Sequence, residues 1–125
     1  MNSEFWEFIE DLVINSQIIY ERPKGSFHPR YLDRSYPVDY GYLKGTTSVD
    51  AGGVDIWVGS SGEKKVSGVL CTVDLLKKDT ELKIVYDCTP EEINRILRFI
   101  NANQMRAIFL DRSNKEETFN GLDTH

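Results

Sequence analysis

The spacing of hydrophobic positions changes along the chain, and the changes divide it into elements. Between residues 3 and 14, Phe5, Phe8, Ile9, Leu12 and Val13 recur at three- and four-residue intervals, while Glu4, Glu7, Glu10 and Asp11 fall on the other side. That period predicts an amphipathic helix with its acids turned to water. Ser3 is a suitable N-cap, and the early acids suit the positive end of the helix dipole. From residue 17 the period drops to two. Strands are predicted over 17–21, 37–43, 54–58, 65–73 and 80–86; in the third, Val54, Ile56 and Val58 share one face and Asp55 and Trp57 the other. Pro23, Gly25 and Pro29 punctuate a loop running to about residue 34, and Ser60-Ser61-Gly62-Glu63 reads as a hairpin turn. The helical period then returns in Ile93, Ile96, Leu97 and Ile100. Thr89 at the N-cap, Pro90 at the first position and Glu92 three residues after the cap form a capping box and open a helix over 90–102. A last strand is predicted over 105–110, followed by a polar tail over 111–125. Short strands flanked by two helices make a single α+β domain spanning 1–125, with a small antiparallel barrel or curled sheet over about 17–86.

Composition narrows the function classes. A chain of 125 residues supports one core and no second domain. Acidic residues outnumber basic ones by 20 to 15, for a net charge of −5, and no basic run offers a footprint for nucleic acid. Cys71 and Cys88 have no metal-ligand spacing and read as small buried hydrophobes of a reducing compartment. No apolar run approaches the ~20 residues of a membrane helix, and acids stand where a signal peptide would be basic. A cytoplasmic protein without a membrane partner is expected.

The candidate chemistry is carboxylate chemistry. Asp50 and Asp55 lie five apart across Gly52-Gly53, and Asp74 and Asp79 lie five apart around a turn. Taken singly, an aspartate in such a place is ordinarily a solvated turn residue. Should neighbouring strands bring the two turns together, four carboxylates converge, an arrangement that repels itself without a cation at its centre. Mg²⁺, which prefers carboxylate oxygens and retains waters, suits it.

Three elements in order carry a resemblance: Tyr36-Pro37-Val38-Asp39-Tyr40-Gly41-Tyr42, the loop and strand from Asp50 to Val58, and the Asp74–Asp79 pair. Together they resemble the soluble, family I inorganic pyrophosphatases, over a stretch from about Ile18 to Leu82. The resemblance implies a twisted five-stranded OB-like barrel with helices outside it. It also implies Mg²⁺-dependent hydrolysis of pyrophosphate, or a similar small phosphoanhydride, by a metal-activated water, and homo-oligomerisation. Asp50, Asp55, Asp74 and Asp79 match the metal-binding aspartates, and Tyr40 a tyrosine beside the water or phosphate. Glu21 matches an early glutamate, while Lys24, Arg30 and Arg34 fall where the family places phosphate ligands. Asp55 and Tyr40 are thus the expected catalytic pair, with Glu21, Lys24, Arg34 and Tyr40 at the substrate.

The chain also departs from the family pattern. Gly52 stands where the family carries the acid that helps activate water, and Gly53 replaces a proline. Glu81 replaces a lysine, and Phe99 to Asn103 contains no Tyr-Lys phosphate clamp. Losing a positioned base alone lowers a rate by about 10²- to 10⁴-fold. Two outcomes are therefore expected: a pyrophosphatase of reduced efficiency, or a relative that binds without hydrolysing.

Overall fold

The computed structural model describes residues 3–48 and 51–113. Its first helix, α1 (Ser3–Ile14), buries Trp6, Ile9 and Val13, a stripe offset from the one the spacing predicts. Phe5 and Leu12 are half-exposed, and Phe8 lies 74% open to solvent. Glu10, predicted to face water, turns inward, where its carboxylate accepts the Val66 N–H at 2.9 Å and pairs with Arg112. Val66 lies beyond the last pair with one neighbouring strand, Gly68↔Asp111, and the Glu10 carboxylate takes up its N–H there.

The strands are β1 (Ile18–Arg22), β2 (Asp39–Leu43), β3 (Val54–Val58), β4 (Val66–Asp74), β5 (Asp79–Tyr86) and β6 (Met105–Asp111). They form one six-stranded sheet in the order β1-β2-β3-β5-β4-β6. Every pair is antiparallel except β3 and β5, which run parallel through Ile56↔Ile84, Trp57↔Val85 and Val58↔Tyr86. The expected five-stranded antiparallel OB-like barrel is therefore corrected to an open, mixed sheet with edges at β1 and β6. Residues 60–63 are likewise not a hairpin turn, because β5 lies between β3 and β4. The burial of β5 explains its central place: adjacent Ile84 and Val85 are both fully buried, one on each face. Only an interior strand covered on both sides can bury consecutive residues in this way.

One face carries Leu43, Ile56, Val69 and Ile84 beneath α1; the other carries Trp57, Leu70 and Val85 beneath α2 (Pro90–Ile100). α1 covers only part of its face, and Val73, Leu82 and Ile108 beyond it stay exposed. Cys88 is buried on the α2 side, where desolvation pushes its thiol up to about 12, as a packing cysteine requires. No helix among the described residues is long and apolar enough to cross a membrane.

α2 begins as the sequence predicts. Thr89 Oγ1 accepts the Glu92 N–H at 3.1 Å, and Glu92 Oε1 accepts the Thr89 N–H at 2.9 Å. Glu92 also ties in the crossover, accepting from Ser60 N at 3.1 Å and Ser60 Oγ at 2.8 Å. Asp87 does the same for the next residues, accepting from Ser61 Oγ at 2.6 Å and Lys64 N at 3.1 Å. Burial pushes both carboxyls up, but these hydrogen bonds outweigh it and hold both below their ordinary values. A depressed carboxyl stabilises the fold above its unfolded pKa and loses that contribution as pH falls through the folded value. The midpoint of urea unfolding should therefore fall as pH drops below about 4. Glu92→Gln should lower stability by about 1 kcal/mol at neutral pH and flatten that acid slope.

Candidate functional site

β2, β3 and β5 lie side by side, so their alternation decides which side chains meet. Tyr40 is opposite Trp57, and Trp57 is beside Val85, all on the α2 face. Stepping back by two along β3 and β5 places Asp55 beside Lys83, with Glu81 next on the same face. Lys83 Nζ reaches Asp55 Oδ2 at 2.6 Å, Tyr40 Oη at 2.9 Å and Glu81 Oε1 at 3.1 Å. The Lys83 side chain is 11% exposed and that of Glu81 9%. Burial would lower Lys83, but the oxygens of Tyr40 and Asp55 against it hold its ammonium above the ordinary value. Burial raises the Tyr40 phenol, outweighing the Lys83 charge. A protonated lysine thus faces a neutral tyrosine and two carboxylates. The other Glu81 oxygen, Oε2, is buried with no hydrogen-bond partner among the described residues.

Above this group opens a cavity of about 490 Å³. Its wall is aromatic: Tyr40 and Trp57 lie 4.4 Å apart between ring centres, Tyr36 and Phe99 4.7 Å, and Trp57 and Phe99 5.8 Å. The loop between β1 and β2 closes the far end. It folds on itself through Gly25 N–H to Tyr36 O, Tyr36 N–H to Ser26 O and His28 N–H to Arg34 O, each at 2.8 Å. That folding brings Arg34 over the Phe99 ring, 4.5 Å from its centre, and beside Tyr31. His28 Nδ1 accepts the backbone N–H groups of Arg30 and Tyr31 at 3.0 and 3.2 Å. Burial and the charges of Arg34, Arg22 and Arg30 lower its pKa, which keeps the ring neutral with its proton on Nε2. The cavity therefore runs from a basic end, across aromatic rings, to a buried group of one cation and two anions.

The residues expected to form the site divide three ways. Glu21, Arg34, Tyr40, Asp55 and Asp74 line the cavity, as does Arg30. Lys24 lies outside its lining, and its backbone N–H serves instead to anchor Asp39 at 2.8 Å. Asp79 also lies outside it and pairs with Lys77 at 3.7 Å. Asp74 Oδ1 accepts from Leu76 N and Lys77 N at 3.0 and 3.1 Å, so it shapes the β4–β5 turn. Asp50 is outside the described residues. No group of three or more His, Cys, Asp or Glu that could hold a metal ion occurs among the described residues. The expected metal binding is therefore not borne out among the described residues: Asp74 hydrogen-bonds within its own turn, Asp79 pairs with Lys77, and Asp55 pairs with Lys83.

Lys83 and the aromatic wall were not foreseen. A signal for the lysine existed, because Asp79, Glu81 and Lys83 alternate with Thr80, Leu82 and Ile84. A central strand with charge on one face must neutralise that charge internally. Nothing local in the sequence announces that Tyr36, Trp57 and Phe99 converge, since they come from three separate segments.

Comparison with known proteins gives a likeness of fold. No family model matches the chain, and no curated protein matches it. Among solved structures, an inorganic pyrophosphatase from Neisseria gonorrhoeae superposes with a TM-score of 0.53 at 21% identity, covering 71% of this chain and 77% of the other. The sheet and its helices are thus distantly similar to a family I pyrophosphatase fold.

Proposed function

We propose that this protein binds a small organic phosphate, or a comparable compact oxyanion bearing a hydroxyl, and holds it without hydrolysing it. The polar layout of one cavity carries this reading. At about 490 Å³ it falls within the roughly 300–1,000 Å³ typical of small-molecule sites. Arg34 is fixed over an aromatic ring with its guanidinium edge free to fork onto an oxyanion, and Arg30 and His28 line the same end. Arg22, Lys24, Arg30 and Arg34 concentrate positive charge along one loop of an otherwise acidic chain, which attracts an anion to that end. At the opposite end, the unpartnered Glu81 Oε2 wants a donor, and a ligand hydroxyl supplies one. Trp57 Nε1 is also buried without a partner among the described residues. The aromatic wall between the two ends suits a ring or sugar body.

The chemistry of the buried group argues against turnover. Phosphoanhydride hydrolysis needs charge on the phosphates and an activated water beside them. Asp55 and Tyr40, the residues expected to act on water and phosphate, are both engaged by Lys83. The hydrolytic alternative is favoured by the fold likeness and by Asp55, Tyr40 and Asp74 lining one cavity.

Thermal shift against inorganic phosphate, pyrophosphate, sugar phosphates and nucleoside monophosphates separates the readings, alongside a phosphate-release assay. The expected result is a rise in Tm with at least one of these. Arg34→Ala should weaken that binding about tenfold or more, as loss of a charge-assisted contact implies. Pyrophosphate turnover above an Asp55→Asn variant would restore the hydrolytic reading.

A further inference from the structure

We infer that the Lys83 ammonium is the resident cation of this cavity, standing between Asp55 and Glu81 where a divalent ion would otherwise bridge them, so that the ligand enters as a free anion rather than as a metal complex. The free-anion half rests on the ligand reading above; the resident-cation half stands on geometry alone. An ammonium has three N–H donors, and here all three are used, on Asp55, Glu81 and Tyr40. The two carboxylates are therefore held together by a positive charge the chain itself supplies. A Mg²⁺ ion bridging Asp55 Oδ2 and Glu81 Oε1 would have to approach each to about 2.0–2.1 Å, inside the space that Nζ holds at 2.6 and 3.1 Å. Lys83 cannot yield that space cheaply. Its side chain is 11% exposed, and its backbone is locked in β5 opposite Leu70 of β4. Swinging away would strand two carboxylates and a phenol below the protein surface. Glu21 and Asp74 also line the cavity, but Asp74 is bound to its own turn, and no group of three or more His, Cys, Asp or Glu that could hold a metal ion occurs among the described residues. The charges also match: a lysine offsets part of the two-acid charge, as a cation must where carboxylates crowd.

Mn²⁺ binding, followed by the paramagnetic signal of the free ion, tests this without any ligand and so independently of the ligand reading. The wild-type chain should show no Asp55-dependent site up to millimolar Mn²⁺. Lys83→Ala opens the space between the acids, and this variant should take up one Mn²⁺ and gain Tm with it. Adding Asp55→Asn to that variant should remove both effects. A Lys83→Ala chain that folds only with Mn²⁺ present also supports the inference. A wild-type site abolished by Asp55→Asn overturns it. So does a Lys83→Ala chain that folds yet ignores Mn²⁺, or that folds with neither. For the ligand half, the affinity for whichever phosphate shifts Tm should be the same in EDTA as in Mg²⁺; affinity that appears only with Mg²⁺ overturns it.

Discussion

Gly41→Ala should unfold the β1 edge of the sheet and, with it, the basic end of the cavity. A Cβ at Gly41 would lie 1.9 Å from the Ile19 carbonyl oxygen and 2.9 Å from its carbon, both backbone atoms of the neighbouring strand. Nothing at that contact is the flexible tip of a side chain, so relief requires β1 to move away from β2. Gly41 pairs with Tyr20, next to the irregularity between Tyr20 and Arg22, so the two strands are already at close approach there. The expected loss is roughly 3 kcal/mol, the upper end for overpacking a site that cannot relax. Gly45→Ala is the matched control. That glycine sits at φ +85 with nothing within 4 Å of a built Cβ, so its substitution carries conformational strain but no clash. Its expected loss is about 1 kcal/mol. The two variants also differ in function. β1 leads directly into the loop that carries His28, Arg30 and Arg34, so Gly41→Ala should abolish phosphate binding at temperatures where Gly45→Ala retains it. Urea unfolding and ligand thermal shift on both variants check this. Equal losses from the two would mean that backbone freedom, not close strand approach, is what Gly41 provides.

The elements themselves were legible because local chemistry specifies them. The Thr89–Glu92 box, the alternation of Val54 to Val58 and the apolar spacing of residues 3–14 each state a period or a cap within a few residues. The order of strands was not legible. Placing β5 between β3 and β4 depends on Ile84 and Val85 needing cover on both faces, a requirement satisfied only by residues elsewhere in the chain. The same distinction runs through the site. Tyr40 and Asp55 were reachable from motif order, and Arg34 only as one of three basic residues in a loop; all three line one cavity. Asp74 and Asp79 share the spacing of ligands, but here Asp74 hydrogen-bonds within its turn and Asp79 pairs with Lys77 of that turn. Glu81 looked like the loss of a positive charge. The structure shows that charge returned two residues later, on the same strand face, by Lys83. The inward turn of Glu10 was hidden for a similar reason, since its partner, the Val66 N–H, lies more than fifty residues away.

Lys83→Met should be among the most destabilising single substitutions in the chain, and the loss should be reversible by changing its partners. Methionine matches the length of the lysine stem and fills the same space, so the change isolates the charge. Removing one partner from a buried ion group typically costs about 3–5 kcal/mol, because the remaining charges stay buried and unpaired. Asp55 is 21% exposed at its side chain, so water recovers some of that, and about 3 kcal/mol is expected. The triple variant Lys83→Met, Asp55→Asn, Glu81→Gln removes the orphaned charges as well. It should recover most of the loss, since a neutral group of the same shape carries no comparable burial penalty. Urea unfolding of the wild type, the single and the triple variant at neutral pH reads both the loss and its recovery. A triple variant no more stable than the single would show that Lys83 stabilises the sheet through its packed stem. The charge between Asp55 and Glu81 would then be incidental to the fold.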